Sequence, residues 1–165
     1  MYAAKRQLSG ALQYNAAFDS SSAQTLSLLT ELRHAVEHHE LRLYLQPKVP
    51  LHGQPGLAAE ALVRWQHPQR GLVPPMQFIP FAEQTGFVRH LTLWMFEEVA
   101  RLLADPRTQG LPLRVSVNLS TRDLLDPELS HRLADILVRH GVAASAFCLE
   151  ITESAIMDDP QRAEA

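Results

Sequence analysis

The sequence predicts an α/β fold in which one antiparallel strand pair is followed by parallel strands. Two alternating segments, 41–46 and 60–65, flank a short turn rich in glycine and proline, which is typical of a β-hairpin. After residue 75, helical segments alternate with short strands. Because strands joined through helices usually pair in parallel, we expect the later strands to extend the hairpin into a parallel sheet.

Composition limits the class of protein. The chain has 165 residues, of which 46% are hydrophobic and 20% charged, as in one soluble globular domain. A net charge of -3 gives no general attraction to nucleic acid, so duplex binding is not expected. Cys148 is the only cysteine, which excludes an internal disulfide and a thiolate zinc site. No segment resembles a secretion signal or a membrane span, so we expect a cytoplasmic protein, with any membrane anchor of a parent protein outside this chain.

The first predicted elements are helical. Residues 1–17 have helical character, and the polar run at 19–22 carries helix-start chemistry, which predicts a linker there. Apolar residues then recur at helical spacing from Ala23 to about Glu40, predicting an amphipathic helix. His34 and His38 lie four residues apart on its polar side. Because no third ligand is evident, we interpret this side as a solvated face rather than a metal pair.

The two strands of the predicted hairpin carry their polar side chains on one face. The first runs from Leu41 to Gln46, with Gln46 on its polar side. The second places Glu60 and Arg64 on the same side and ends at His67-Pro68. An unpaired acid and base on such a strand would cost free energy, so we expect a ligand, a metal or a mutual ion pair.

The remaining elements alternate. We expect helices near 75–85 and 88–104, a strand at 113–119, a helix near 127–140 and a strand at 147–151. Ser120 follows the first of these strands, but no glycine flanks it as in a nucleophile elbow. Ser120 is therefore interpreted as part of a helix cap.

Polar residues occupy equivalent places on three strands. Asn118 and Glu150 lie on the polar parity near the ends of their strands, as Glu60 does. In barrel enzymes, catalytic groups come from the carboxyl ends of different strands. One such residue alone is equally well explained by pairing with a loop backbone, but three together favour a site. Two carboxylates and an amide oxygen suit Mg²⁺ or Mn²⁺.

Four motifs follow one another along the chain. They are Glu60-Ala61-Leu62-Val63-Arg64-Trp65 with His67-Pro68, Phe78-Ile79-Pro80 with Ala82-Glu83 and Gly86, Val117-Asn118-Leu119-Ser120, and Leu149-Glu150-Ile151-Thr152-Glu153-Ser154. In this order they closely resemble the motifs of EAL domains, the cyclic di-GMP phosphodiesterases. The resemblance covers about residues 26–165, and ordered agreement is more specific than one tripeptide. It implies a TIM-like (β/α) barrel with an antiparallel first strand.

The resemblance also implies a reaction. The family hydrolyses one phosphodiester bond of cyclic di-GMP to give linear pGpG, using two Mg²⁺ or Mn²⁺ ions. The roles implied by motif position are metal binding for Glu60, Asn118 and Glu150, substrate binding for Gln46 and Arg64, and support of a neighbouring catalytic loop for Glu153. Glu60 and Glu153 are thus the expected catalytic residues. The alternative is a non-catalytic regulatory module that binds cyclic di-GMP or a protein partner.

The resemblance also sets expectations for the ends of the chain. Residues 1–22 look like the end of a GGDEF domain plus a linker, so we expect 23–165 to be the N-terminal part of an EAL domain in a GGDEF-EAL parent. An EAL homodimer is a further expected assembly. The family pattern continues with an Asp-Asp pair, a lysine, a glutamate and a glutamine, whereas Asp158-Asp159 precedes Pro160 and is better explained by helix capping. We therefore expect a barrel truncated before closure, with an open apolar edge. The isolated chain should then be poorly soluble, partly folded or self-associated, and should show little hydrolysis.

Overall fold

The computed structural model describes residues 16–52, 56–108 and 110–151, with side chains from residue 27 onward. These ranges contain helix α1 (Ala16–Glu37), strands β1 (Leu41–Lys48), β2 (Leu57–His67) and β3 (Gly71–Val73), helices α2 (Ile79–Thr85) and α3 (Val88–Ala104), strand β4 (Leu113–Leu119), helices α4 (Thr121–Leu124) and α5 (Leu129–His140), and strand β5 (Phe147–Ile151). Short 3₁₀ turns at Pro75–Gln77 and Ala144–Ala146 precede α2 and β5.

The strands form one sheet in the order β1-β2-β4-β5, with β3 paired to the end of β2. β1 runs antiparallel to β2, whereas β2, β4 and β5 are parallel. The predicted α/β fold with an antiparallel first pair is therefore confirmed. Over the described residues the sheet does not close, so this part of the chain is a partial TIM-like (β/α) barrel.

The core lies between one face of this sheet and the helices. Along β2, every second residue from Ala59 to His67 is buried, as the alternation in the sequence predicts. Trp65 meets Phe78 edge to face, with ring centroids 5.7 Å apart. Phe96 of α3 stacks on Phe147 of β5 at 4.9 Å. These aromatic contacts place the helices on one side and leave the other parity of each strand for polar residues.

Helix α1 begins earlier than the sequence predicts. It starts at Ala16 rather than Ala23 and continues through 19–22, where a linker was expected. The predicted helix start is wrong because serine and aspartate each cost only about 0.5 kcal/mol in a helix, whereas extending a formed helix adds one hydrogen bond per residue. The linker itself stays a prediction. The helix also ends at Glu37 rather than Glu40, since His39 has a positive φ of 56°. The proposed division between 1–22 and 23–165 is untested and stays a prediction.

Three other boundaries differ from the prediction. The segment 75–85 is a 3₁₀ turn followed by α2, because Pro80 has no N–H and fits only the first turn of a helix. Strand β3 was missed, since three residues are too few to show alternation. Helix α5 begins at Leu129, two residues after the predicted start, and the separate helix α4 precedes it.

Apolar side chains are exposed on the last described strand. Leu149 and Ile151 share the parity of buried Phe147, yet they are 46% and 41% exposed. The open edge, the solubility and the self-association expected from the sequence stay predictions. None of the helices in the described part has the length and apolarity that a membrane crossing requires.

Candidate active site

The polar face of the sheet carries the site residues predicted from the sequence. Glu60 and Arg64 of β2 and Glu150 of β5 are half-buried, while Gln46 of β1 and Asn118 of β4 are exposed. Along each strand these residues alternate with residues that face the core, so all five project from the opposite side of the sheet. Glu153 and the pair at 158–159 lie outside the described residues.

Glu60 and Asn118 meet at the centre of this face. Glu60 lies opposite Gln46 on β1 and opposite Ser116 on β4. Asn118 stands two residues beyond Ser116, and its Nδ2 donates a hydrogen bond of 2.7 Å to Glu60 Oε1. Strand register thus brings together two residues that are 58 positions apart in the chain. The prediction that Glu60 lies near a strand end is wrong, because β2 continues to His67, where it pairs with β3.

Glu150 is held by a lysine that the sequence analysis did not single out. Asn118 lies opposite Glu150 in the parallel register. The ammonium of Lys48 donates to Glu150 Oε1 and, at 2.9 Å, to Ser116 Oγ. Lys48 continues the polar parity of Gln46 along β1, so the alternation contained this signal.

The contact with Lys48 shifts both ionisation equilibria. Hydrogen bonds to Lys48 and Ser116 hold the pKa of the Glu150 carboxyl below its usual range, despite an opposing effect of burial. The hydrogen bond to Glu150 likewise raises the pKa of Lys48, and the negative charges of Glu150 and Glu60 add to the shift. Both groups are therefore charged at neutral pH.

Arg64 is not the ion-pair partner of Glu60. The two residues are four positions apart on β2, which separates their Cα atoms by about 13 Å. The Arg64 guanidinium lies 5.8 Å from the centre of the Tyr44 ring and donates to its neighbouring Val63 carbonyl at 2.9 Å. Arg42 is directly opposite Arg64 on β1, so two guanidinium groups come from paired positions of this face. Like charges at paired positions destabilise a sheet, although Arg42 donates to the carbonyls of His39 and Leu41.

His67 points away from Glu60. It lies on the buried parity of β2 and is 8% exposed. Its Nδ1 accepts hydrogen bonds from the backbone N–H groups of Gln69 and Arg70, so Nε2 carries the hydrogen and faces Glu31 at 3.3 Å. The interpretation of His67 as a strand-ending residue is confirmed, and a role as a base beside Glu60 does not fit.

The end of β4 is fixed by a second residue that sequence reasoning missed. Asp123 Oδ2 accepts hydrogen bonds from Ser120 N at 2.8 Å, Ser120 Oγ at 2.7 Å and Thr92 Oγ1 at 3.0 Å. Asp123 N donates in return to Ser120 Oγ, which completes a capping box and confirms Ser120 as a cap. Asp123 is fully buried, and within the described part its Oδ1 has no partner. Only the capping spacing from Ser120 to Asp123 could have indicated it.

A cavity of about 770 Å³ lies next to Asn118. Its walls include Leu62 from β2, Ile79 and Glu83 from α2, and Leu91 from α3. The volume is in the range of small-molecule sites, and the walls combine apolar side chains with a few polar groups. Of the five predicted site residues in the described structure, Asn118 alone lines this cavity, so the cavity does not by itself mark the ligand position on the polar face.

The donors of this face suit a hard cation. Glu60, Asn118 and Glu150 offer two carboxylates and an amide oxygen, which fit Mg²⁺ or Mn²⁺ better than soft metals. In the part of the chain that the structure describes, no three His, Cys, Asp or Glu side chains group closely enough to hold a metal. A cation at this site would therefore need the Asn118 amide oxygen as a ligand beside the two carboxylates. His34 and His38 are exposed and stack their rings at 3.6 Å, which agrees with the solvated face predicted.

Comparison with known proteins decides the family. Residues 29–165 match the family model described as the EAL domain. This chain belongs to the EAL domain family. It is 36% identical over 161 residues to the bifunctional diguanylate cyclase/cyclic di-GMP phosphodiesterase MucR of Pseudomonas aeruginosa, covering 96% of this chain and 24% of that protein. It is 38% identical over 138 residues to the cyclic di-GMP phosphodiesterase PdeR of Escherichia coli, covering 84% and 21%.

Solved EAL structures share the fold. The PaMucR phosphodiesterase in its c-di-GMP complex is 38% identical, with a TM-score of 0.74, and the match covers 81% of this chain and 55% of that one. The FimX EAL domain from Pseudomonas aeruginosa bound to c-di-GMP is 26% identical, with a TM-score of 0.74 and coverage of 83% and 55%. The chain thus spans about half of these solved EAL structures and about a quarter of the curated relatives.

Proposed function

We propose that this EAL domain binds cyclic di-GMP and takes part in hydrolysing one of its phosphodiester bonds to give pGpG. The observation that carries the proposal is the contact of Glu60 with Asn118 at the centre of the polar face, where Asn118 lies opposite Glu150. The relatives named as cyclic di-GMP phosphodiesterases support the substrate class. The paired positions of Arg42 and Arg64 support an anionic ligand on the same face.

The residues have distinct roles in this proposal. Glu60 and Glu150 supply charge, and Asn118 a neutral oxygen, for two Mg²⁺ or Mn²⁺ ions. When bound, these cations would lower the pKa of an attacking water and neutralise charge on the phosphoryl oxygens. Arg64 would bind a phosphate oxygen with directional hydrogen bonds, and Gln46, opposite Glu60, would hold the dinucleotide. We further propose that Glu153 supports a neighbouring catalytic loop.

The setting of the domain is also proposed. We place the end of a GGDEF domain at residues 1–22 and the EAL domain at 23–165, in a cytoplasmic parent that can form EAL homodimers. The similarity to a bifunctional diguanylate cyclase/phosphodiesterase supports a GGDEF partner in the same parent chain.

A second candidate is a non-catalytic cyclic di-GMP sensor. The observation that favours it is the ion pair of Lys48 with Glu150, since a permanent ammonium there would take the place of a cation. Only the first candidate requires both carboxylates to be free for metal.

Calorimetric titration with cyclic di-GMP, followed by chromatography for pGpG in Mg²⁺ or Mn²⁺, separates the two candidates. It is made on this chain and on the native protein that contains it. Binding with metal-dependent pGpG formation by the native protein supports hydrolysis, and binding without product supports the sensor. Absence of binding by the native protein would reject both.

A further inference from the structure

Lys48 connects three strands across the polar face. It is near the end of β1, yet its ammonium reaches Ser116 of β4 and Glu150 of β5. The Lys48 and Glu150 side chains are 38% and 35% exposed, so the pair is accessible to solvent ions.

The ammonium lies where a bound cation would have to share its ligand. Glu150 Oε1 is engaged by Lys48, and Glu60 is close enough that its charge also acts on Lys48. A divalent cation on the same carboxylate would stand within a few ångströms of a like charge and would repel it strongly. Lys48 and a cation therefore compete for Glu150.

We propose that Lys48 is a built-in counter-ion of the candidate metal site, which neutralises Glu150 when no cation is bound and leaves it when a divalent cation binds. The inference rests on the proposed function for the location of the metal site. Metal binding must then displace the Lys48 ammonium from Glu150. The site therefore binds divalent cations more weakly than it would without Lys48. Lys48 is a positioning residue in this scheme, not a catalytic one.

The first test is Mn²⁺ binding, measured by calorimetry and by the electron paramagnetic resonance signal of free Mn²⁺. Lys48→Met should bind Mn²⁺ about tenfold more tightly than the wild type, the scale of other changes around metal ligands. Lys48→Arg keeps the charge and should not gain affinity. Arg114→Met is the matched control, because Arg114 is exposed on the same face and its loss changes the net charge equally. Arg114 makes no hydrogen bond or ion pair in the described structure, so this variant should gain clearly less affinity than Lys48→Met.

The second test follows the amine itself. Reductive methylation mapped by mass spectrometry should modify Lys48 faster when Mg²⁺ is added, with Lys5 as the internal reference. This readout stays informative if Lys48→Met does not fold, and Lys48→Gln provides a second variant. Unchanged methylation in Mg²⁺, or equal Mn²⁺ affinity of wild type and Lys48→Met, would overturn the inference.

The outcomes also separate this inference from the proposed function. If Glu60→Gln removes Mn²⁺ binding while Lys48→Met leaves it unchanged, the metal site stands and the counter-ion role fails. If Glu60→Gln has no effect on Mn²⁺ binding, the metal site itself is wrong and the role of Lys48 falls with it. An equal gain in Lys48→Met and Arg114→Met would show a general charge effect and would also reject the inference.

Discussion

Asn118 Nδ2 donates to Glu60 Oε1 at 2.7 Å, across the boundary between two parallel strands. Within the described part of the chain, Asn118 Oδ1 and Glu60 Oε2 have no other partner. Both are oxygen atoms that can coordinate a hard cation. The contact therefore fixes the two side chains in place while leaving on each one oxygen that can coordinate a metal.

Glu60→Gln tests this pair. Glutamine keeps an oxygen that can accept from Asn118, so the fold should persist, but it lacks the charge that holds a cation. We expect Mn²⁺ affinity to fall by roughly 10- to 100-fold or more and pGpG formation by the native protein to be abolished. Calorimetry and product chromatography measure the two effects. Unchanged turnover would remove Glu60 from the mechanism.

Arg64→Ala should mainly weaken the binding of cyclic di-GMP. Loss of a charge-assisted hydrogen bond to phosphate costs about 1.5–3 kcal/mol, so Kd should rise by roughly 10- to 150-fold. Because Arg64 makes no ion pair in the described part, folding stability should change little. Titration calorimetry measures Kd, with Arg101→Ala as the control on the outer side of α3. The same affinity in Arg64→Ala and wild type would refute the phosphate contact.

Sequence reasoning located Asn118 and Glu150 because the alternation of side chains along a strand is a local property. Alternation along β4 and β5 predicts which residues share a face, and parallel pairing then brings Asn118 level with Glu150. The family motifs added their implied roles, which the geometry alone does not assign. The residues that share this face could thus be predicted before the structure was known, while their roles stay predictions.

Alternation could place Lys48 on the polar face, but neither its contact with Glu150 nor the burial of Asp123 could be predicted in this way. The reach of Lys48 to Glu150 depends on the curvature of the sheet, which brings β1 near β5 although they are not neighbours. The burial of Asp123 depends on how α3 packs against the end of β4, where Thr92 donates to it. Both relationships arise from tertiary structure and leave little local pattern.

Asp123→Ala should destabilise the fold by about 3 kcal/mol. It removes a helix cap and leaves the buried Thr92 hydroxyl without its acceptor, and the two losses cost about 0.5–2 and 1–3 kcal/mol. Asp123→Asn is the matched variant, since its amide oxygen can replace Oδ2 and its NH₂ can occupy the position of the unpartnered Oδ1. We expect a loss of only about 1 kcal/mol from it. Urea unfolding measures both, and equal losses would contradict the proposed contacts.

We expect the contact of Glu97 on α3 with Arg139 and His140 on α5 to depend on pH. Its carboxylate accepts from Arg139 at 3.0 Å and from His140 Nε2 at 2.6 Å. Burial alone would raise the pKa of Glu97, but the hydrogen bond to His140 and the charge of Arg139 outweigh it and hold the pKa below its usual 4.5. A carboxyl with a lowered folded-state pKa stabilises the protein above its unfolded pKa and loses this contribution as pH falls through the folded value.

Glu97→Gln should therefore lower the free energy of unfolding at pH 7 but not at low pH. At neutral pH we expect a loss of about 0.5–1 kcal/mol, because the pair is only partly shielded from water. Urea unfolding at pH 7 and at a pH below the folded pKa measures the difference. Glu98→Gln is the control, since Glu98 pairs only with Arg101 on its own helix in the described structure. A gap between wild type and Glu97→Gln that is the same at both pH values would show that the Glu97 charge does not stabilise the α3–α5 contact.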